Sequence, residues 1–172
     1  MGLPDKKEDT LQGIITYELR EAIRSQYKLL MPFIEKYYPC YDPYIFDFDI
    51  PLTPIEENVW TDIRFTGLPI KCMQFPVKQY FIDFADPIKN IGIEVDGRRY
   101  HTDKDKDRKR QEEIEAEGWT IYRIEGWQTV RECSEGIIRY IQDKHYQNLY
   151  LHNYISKLKK DATDAENKIH QT

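Results

Sequence analysis

The sequence predicts an α/β fold in which helices flank a central mixed β-sheet, made of an antiparallel meander and one parallel crossover strand. Two observations predict it. Short apolar runs with a period of two follow one another between residues 59 and 96, with turn residues between them. A charged helical stretch then separates "IGIEVD" from a further run, "WTIYRI", and this strand, helix, strand order is that of a parallel crossover.

Length and composition predict one domain with appendages. The chain has 172 residues, enough for one well-buried core, and we expect a flexible tail at 1–10, a single domain at 11–143, and a helical extension with a flexible tail at 144–172.

No apolar run is long enough to cross a bilayer and the first residues lack a signal-peptide core, so we expect a cytoplasmic protein that makes no membrane contact. The net charge of −5 argues against coating nucleic acid by bulk attraction, so any phosphate contact must come from a local patch.

The first predicted element is an amphipathic helix. Apolar residues recur at helical spacing from Leu11 to Met31. Glu18 falls within the predicted apolar stripe, where a carboxylate directed at the core needs a partner. The alternative is that Glu18 lies at the border of the stripe with its charged end in water.

Residues 32–57, here called the aromatic strap, contain five prolines and are not expected to form one regular element. Their aromatic side chains could stack on unpaired bases. The acidic residues among them would repel phosphate, so packing on the domain, or contact with a protein partner or a second copy of the chain, is the favoured interpretation. The C-terminal helix is a second possible contact surface.

The following runs complete the predicted order of elements. "VWTDIRF", "IKCMQF", "QYFIDF" and "IGIEVD" are predicted strands, and "TDKDKDRKRQEEIEAEG" is a predicted helix with Thr102 as N-cap and Gly118 just past its end. Residues 128–143 predict a last helix. The three widely spaced cysteines indicate reduced thiols rather than a zinc site or a disulfide framework.

Three acidic residues interrupt the two apolar arms of a predicted hairpin, "YFIDFADPIKNIGIEVD". Because side chains alternate along a strand, Ile82 and Phe84 should share one face, and Asp83, Glu94 and Asp96 should share the other. A turn centred between residues 88 and 89 places Asp83 opposite Glu94.

Like charges directly opposite one another destabilise a sheet, so this face needs a compensating feature. A hard divalent cation is one candidate, since Mg²⁺ is typically held by one or two carboxylates together with water and a substrate phosphate. Lys or Arg side chains from elsewhere could neutralise the acids instead, or the face could simply be solvated.

A basic stretch directly follows these acids. Residues 98–110 contain seven Lys and Arg residues against three aspartates. A basic patch beside a carboxylate cluster suits an anionic phosphate ester that approaches a bound metal. His101 could act as a general base or contact phosphate, although most side chains of this stretch would also suit a solvated helix with i, i+4 ion pairs.

The stretch "QFPVKQYFIDFADPIKNIGIEVDGRRYH", followed by "DKDRKRQEEIEAEGWTIYRI", resembles the small endonuclease-like domains related to very-short-patch-repair endonucleases, within the PD-(D/E)XK nuclease superfamily. The resemblance covers about residues 70–142 well and implies a restriction-endonuclease-like core. By position, Asp83 matches a metal-binding aspartate at a strand end, Glu94 matches the acidic residue of the (D/E)XK half-motif, and Asp96 with His101 matches a "DG...H" signature.

Further positions match a supporting pattern. Gln74 resembles a glutamine found ahead of the metal-binding aspartate, and Glu18 resembles a glutamate on the first helix of the superfamily. The remaining matches lie on the charged helix and the strand after it: Asp107, Arg110, Gly118, Trp119 and Arg123. The resemblance therefore implies catalytic residues Asp83, Glu94, Asp96, His101 and Glu18, of which Asp83, Glu94 and Asp96 would bind the metal.

One position departs from the wider superfamily. Asp96 stands where a lysine would orient the attacking water, which shifts that task to His101, Arg98 or a lysine from another strand such as Lys78. The general base is therefore unassigned.

We expect a Mg²⁺-dependent endonuclease, with Mn²⁺ as a possible substitute, that acts on nucleic acid, with DNA favoured over RNA by the resemblance alone. Arg98, Arg99, Arg110 and Gln74 are the expected nucleic-acid contacts. The alternative is an inactive subunit of a larger assembly that binds nucleic acid or another protein.

Overall fold

The computed structural model describes residues 17–40, 52–97, 104–126, 133–147 and 149. They form a four-stranded mixed sheet in the order β1-β2-β3-β4 with helices on its faces, which confirms the predicted fold class. The elements in chain order are α1 (Tyr17–Tyr37), α2 (Pro54–Thr66), β1 (Cys72–Val77), β2 (Tyr80–Asp86), β3 (Ile91–Asp96), α3 (Lys104–Glu115), β4 (Thr120–Glu125) and α4 (Cys133–His145).

The pairing of the strands follows the sequence prediction. β1, β2 and β3 are antiparallel neighbours, and β4 pairs with β3 in parallel after the α3 crossover. In the hairpin, Phe84 lies opposite Ile93 and Asp86 opposite Ile91, which is the register predicted from the position of the turn. The charged helix is also confirmed, and Gly118 follows it with a φ of 84°, a left-handed conformation that glycine adopts without steric cost.

Helix α1 runs further than predicted and turns a different face to the core. It continues through Pro32 to Tyr37, so the start of the aromatic strap is helical. Proline removes one backbone hydrogen bond, at a cost of about 3 kcal/mol in a helix interior, and the burial of Leu30 and Ile34 on either side offsets it. Of the two interpretations of Glu18, burial within the stripe is wrong, because the side chain is exposed, as the alternative of a charged end in water requires.

The segment read as a strand at "VWTDIRF" is instead part of helix α2, so that prediction is wrong. Thr53 caps this helix: its hydroxyl accepts from the Glu56 amide at 3.4 Å, and the Glu56 carboxylate accepts from the Thr53 amide at 2.6 Å. This capping box satisfies two backbone amides that a helix start leaves unpaired. Val59 and Ile63, four residues apart, form the buried side of the helix.

The sheet separates two hydrophobic clusters. One contains the buried stripe of α1 together with Ile114 of α3, and it packs on the face that carries Phe81 and Ala85. The other contains buried residues of α2 and α4 and includes Phe84 and Ile93 of the sheet. This three-layer arrangement is what the order of elements requires once α2 is recognised as a helix.

The alternation of faces breaks at the point where the acidic residues begin. Ile82 packs in the same cluster as Phe81 and Ala85 rather than with Phe84, so the expectation that Ile82 and Phe84 share a face is wrong. On the neighbouring strand Gln74 has a φ of 48°, in the left-handed region, and no residue is paired between Met73 and Phe75. The register on either side of this position places Gln74 opposite Asp83, and their side chains are hydrogen bonded.

Asp86 anchors the opposite end of the hairpin. Its fully buried carboxylate accepts from the hydroxyls of Tyr38, at 2.9 Å, and Tyr146, at 2.7 Å, and from the amides of Ile88 and Lys89. Four donors compensate for the desolvation of the charge. Tyr146 is fully buried although it follows the predicted end of the domain at residue 143, and the domain boundaries themselves stay predictions.

Several expectations fall on residues that the structure does not describe, among them residues 41–51 of the strap and Thr102. Of the strap's aromatic side chains that are described, Phe33 and Tyr37 are exposed on α1, and a protein partner there stays a prediction. Cys40 and Cys72 are free thiols. Within the described ranges, no helix has the length and apolar character needed to cross a bilayer.

Candidate active site

Two acidic side chains from adjacent strands lie together in an open cleft of about 350 Å³ on the α1 side of the sheet. Asp83 comes from β2, and Glu94 comes from β3. The cleft is lined by Arg20, Glu56, Gln74, Gln79, Tyr80, Phe81, Asp83, Glu94, Val95, Asp96, Gly97, Asp107, Arg110 and Arg123. The structure therefore brings together five of the residues predicted for the site: Gln74, Asp83, Glu94, Asp96 and Arg110.

Asp83 is held by two hydrogen bonds. The amide nitrogen of Val95 donates to its Oδ2 at 2.8 Å, and Nε2 of Gln74 donates to its Oδ1 at 2.9 Å. Burial nevertheless raises the pKa of Asp83 to about 6, and the negative charge of Glu56 contributes to the increase. The two hydrogen bonds thus fix the carboxylate in position, but they do not fully offset the cost of burying its negative charge.

Glu94 is almost completely buried and lies against a guanidinium group. Arg110 Nη2 donates to Glu94 Oε1 at 2.7 Å and to the backbone carbonyl of Phe81 at 2.8 Å. Burial and the nearby charge of Asp83 raise the pKa of Glu94 to about 8, and Arg110 opposes this increase. Arg110 was predicted as a contact to nucleic acid, which stays a prediction, and in the structure it holds a cleft carboxylate in place.

The position before Glu94 on the same face leaves no room for a side chain. A Cβ on Gly92 would lie 2.7 Å from Cγ2 of Ile82 and 2.8 Å from Cδ1 of Ile121. Both distances are shorter than carbon atoms tolerate without displacement, so glycine allows the core to close tightly beneath the cleft.

Asp96 is committed to an ion pair. Arg123 Nη1 donates to both carboxylate oxygens, at 3.0 Å to Oδ2 and 3.3 Å to Oδ1. Nε of the same arginine is buried and has no hydrogen-bond partner among the described residues. Arg123 therefore places a guanidinium group against Asp96, the position at which the resemblance implies a lysine in the wider superfamily.

Glu56 is a cleft residue that the sequence prediction missed. It lies in the first turn of α2, at the start of the helix that was read as a strand, and its charge acts on Asp83. Glu18, the acid expected from the first helix, is not among the residues that line the cleft. The signal that could have identified Glu56 is the sequence "TPIE", since Thr, then Pro, then Glu at the third helical position marks a helix start.

The remaining predicted residues are not part of the described cleft. Arg98, Arg99 and His101 fall outside the described residues, and their roles stay predictions. Lys78 lies in the β1–β2 turn, where its ammonium group pairs with Glu117 at 2.7 Å, and it does not line the cleft.

The donor chemistry of the cleft fits a divalent cation at two of the three predicted ligands. Asp83 and Glu94 offer hard oxygen donors. A cation bound between them would offset their mutual repulsion and the cost of burying their negative charges. Asp96 is engaged by Arg123, and no group of three His, Cys, Asp or Glu side chains in the described ranges is arranged to hold one ion. Two carboxylates suffice for Mg²⁺, which commonly retains several water ligands.

The comparisons with known proteins agree with the fold. The family model REase_MTES_1575 matches residues 55–143, just over half of the chain, and the match begins at α2. "Uncharacterized protein YcjD" of Escherichia coli (strain K12) is 30% identical over 87 residues, which cover 49% of this chain and 72% of that protein. No solved structure matches the chain. The chain therefore belongs to the restriction-endonuclease-like family REase_MTES_1575, within the PD-(D/E)XK nucleases.

Proposed function

We propose that this protein is a metal-dependent endonuclease that hydrolyses phosphodiester bonds in DNA. One observation carries the proposal: Asp83 and Glu94 both line one open cleft, each with its pKa raised by burial. Two desolvated carboxylates at a surface cleft destabilise the folded chain, and such groups are concentrated at functional sites. Membership of a restriction-endonuclease-like family supports the same chemistry.

In this proposal Asp83 and Glu94 hold Mg²⁺, which Mn²⁺ could replace. The bound cation would supply positive charge to the phosphate and lower the pKa of an attacking water. Gln74 and the Val95 amide keep Asp83 oriented, and Arg110 keeps Glu94 oriented. Together with Asp83 and Glu94, Glu56 would be a third negative charge that attracts the cation.

We assign Asp96 a positioning role. Its carboxylate accepts two hydrogen bonds from Arg123, so it is held in an ion pair. Through this ion pair Asp96 fixes a guanidinium group on the face of the sheet where a lysine would otherwise supply positive charge. We retain His101 as the residue proposed to orient the attacking water.

The preference for DNA rests on the family, and the substrate can be tested directly. Purified protein is incubated with supercoiled plasmid, linear duplex DNA and single-stranded RNA in Mg²⁺, Mn²⁺ or EDTA, and products are followed on gels. We expect nicked or linear DNA with either metal and intact plasmid in EDTA.

Two variants and a matched control make the test specific. Asp83→Asn and Glu94→Gln should each reduce cleavage by at least about 100-fold, since each removes a charge that would hold the metal. Asp143→Asn changes an exposed acid on α4 and should leave cleavage unchanged. Equal cleavage by the wild type and Asp83→Asn would rule out the assigned site and would point to a contaminating nuclease.

A second candidate function is nucleic-acid binding without chemistry. It is favoured by the arginine partners of the cleft acids, because Glu94 and Asp96 each already have a guanidinium group as ion-pair partner. This function predicts that the wild type retards DNA on a native gel but leaves it intact with every metal tested.

A further inference from the structure

We propose that Arg20 on helix α1 binds a backbone phosphate of the nucleic acid that enters the cleft. This inference rests on the proposed function, and it names a contact that neither the family pattern nor the predicted basic stretch contains. Arg20 is exposed and lines the cleft.

The periodicity of α1 explains why an arginine reaches the cleft. Ile23, Tyr27, Leu30 and Ile34 form the buried stripe of the helix. Arg20 precedes Ile23 by three residues and Tyr27 by seven, so it continues this stripe toward the N-terminal end. The cleft opens beside this end of the helix, so Arg20 borders it, while the neighbouring Leu19 still packs against the hydrophobic core.

An aromatic ring positions the guanidinium group. Arg20 lies 5.7 Å from the ring centroid of Phe81, and Arg24, one turn later, lies 4.6 Å from the same centroid. Cation–π contacts restrict the side chain without neutralising its charge. The carbonyl group of Phe81 accepts a hydrogen bond from Arg110. One residue of β2 therefore contacts arginines of α1 through its ring and an arginine of α3 through its backbone.

The other cations of the cleft are already paired. Arg110 is bound to Glu94, and Arg123 is bound to Asp96. Arg24 is one turn from Arg20 but pairs with Glu21 at 3.5 Å and donates to the carbonyl of Lys78. Across the described ranges, Arg20 has no carboxylate within ion-pair distance, which leaves its charge available to a ligand.

The guanidinium group of Arg20 selects an anion as its ligand, although the lining of the cleft as a whole is acidic. Five acidic side chains and three arginines line the cleft, so a phosphate is repelled unless cations face it directly. Among the three arginines that line the cleft, Arg20 is the one that makes no ion pair with a described carboxylate. The planar N–H donors of a guanidinium group match the geometry of phosphate oxygens. A phosphodiester backbone that crosses the cleft would therefore lie between the carboxylates and α1.

The test measures binding separately from cleavage. Fluorescence anisotropy follows the binding of a short fluorescein-labelled DNA duplex in Ca²⁺ over a series of salt concentrations, with the integrity of the duplex checked on a gel. Arg20→Gln should weaken binding by about 5- to 20-fold and reduce the slope of log affinity against log salt by about 1, as expected for one lost phosphate contact. Arg20→Lys should keep most of the slope.

Controls separate this contact from a structural effect. Lys28→Gln removes an exposed cation of α1 that does not line the cleft, and it should leave the slope unchanged. The thermal midpoint of Arg20→Gln should match that of the wild type, since the side chain is exposed.

The two proposals fail in different ways. A wild type that binds and cuts DNA, with Arg20→Gln showing the same affinity and salt slope, would overturn the role of Arg20 alone. A wild type that binds DNA through Arg20 but cuts nothing would support this contact and overturn the nuclease. Absence of binding by the wild type would overturn both.

Discussion

Replacing Asp83 by asparagine should stabilise the metal-free protein at neutral pH. The variant removes a carboxylate that burial and Glu56 destabilise. The hydrogen bonds survive, because the asparagine oxygen can accept from the Val95 amide and Gln74 can rotate its amide to present an oxygen to the new NH₂ group. The charge is therefore lost without leaving a buried donor unpaired.

The magnitude follows from the pKa. In the folded protein the pKa of Asp83 is raised from 3.8 to about 6. Each tenfold change in proton affinity is worth about 1.4 kcal/mol, so ionised Asp83 costs the fold about 3 kcal/mol, and screening by water in the open cleft reduces this to about 2 kcal/mol. For a chain of this size, that corresponds to an increase of about 4 to 8 °C in the thermal midpoint.

The effect has a defined pH dependence. Between pH 3.8 and about 6 the folded wild type binds more protons at Asp83 than the unfolded chain does, so its stability falls as the pH rises through this window. The advantage of the variant should be absent at pH 3.5, grow up to about pH 6 and persist above it. Loss of the Asp83 charge should also lower the pKa of Glu94, and this smaller contribution should grow up to about pH 8 and persist above it.

Thermal unfolding followed by circular dichroism in EDTA, from pH 3.5 to 9, measures this difference, with Asp143→Asn as the matched control. Adding Mg²⁺ should narrow the gap, because a ligand that binds only the folded wild type stabilises it by mass action. A midpoint for Asp83→Asn equal to or below that of the wild type at pH 8 would refute the reasoning. A gap that does not vary with pH would refute it as well.

Two further substitutions test the packing and the ion pairs around the cleft. Arg110→Gln should lower the free energy of unfolding by about 2 kcal/mol in urea titrations, because it leaves Glu94 buried without its cation, whereas Arg108→Gln, at an exposed pair on the same helix, should change it by less than about 0.5 kcal/mol. Equal losses would show that the cleft pair contributes no more than a surface pair. Gly92→Ala should cost about 1 to 3 kcal/mol, since the new methyl group meets two isoleucine side chains, while Gly136→Ala has open space and should be neutral or stabilising. A neutral Gly92→Ala would mean that the core yields easily at this point.

The sheet was predictable because its signals are local. Turn residues and a period of two fix β1, β2 and β3, and the position of the hairpin turn fixes the register that brings Asp83 near Glu94. The parallel pairing of β4 follows from the helix that precedes it. These features depend on residues that are close in sequence.

The errors concern helices whose faces depend on distant packing. "VWTDIRF" alternates well enough for a strand, yet the capping box at Thr53 and the i, i+4 pair of Val59 and Ile63 specify a helix. One interpretation placed Glu18 on the buried face because the predicted stripe included apolar residues such as Ala22, which is exposed, whereas the buried residues are Ile23, Tyr27, Leu30 and Ile34. The ion pairs made by Arg110 and Arg123 join residues that are 16 and 27 positions apart in sequence, so no local pattern could reveal them.

One backbone proton of this protein should serve as a built-in spectroscopic reporter. The amide of Val95 donates to the carboxylate of Asp83 at 2.8 Å, and a carboxylate, unlike a carbonyl group, changes its charge when it gains a proton or a metal ion. The nitrogen and proton resonances of this amide should therefore shift when Asp83 titrates and shift again when a cation arrives. A single cross-peak in a nitrogen–proton correlation spectrum would then record the state of the cleft without any substrate.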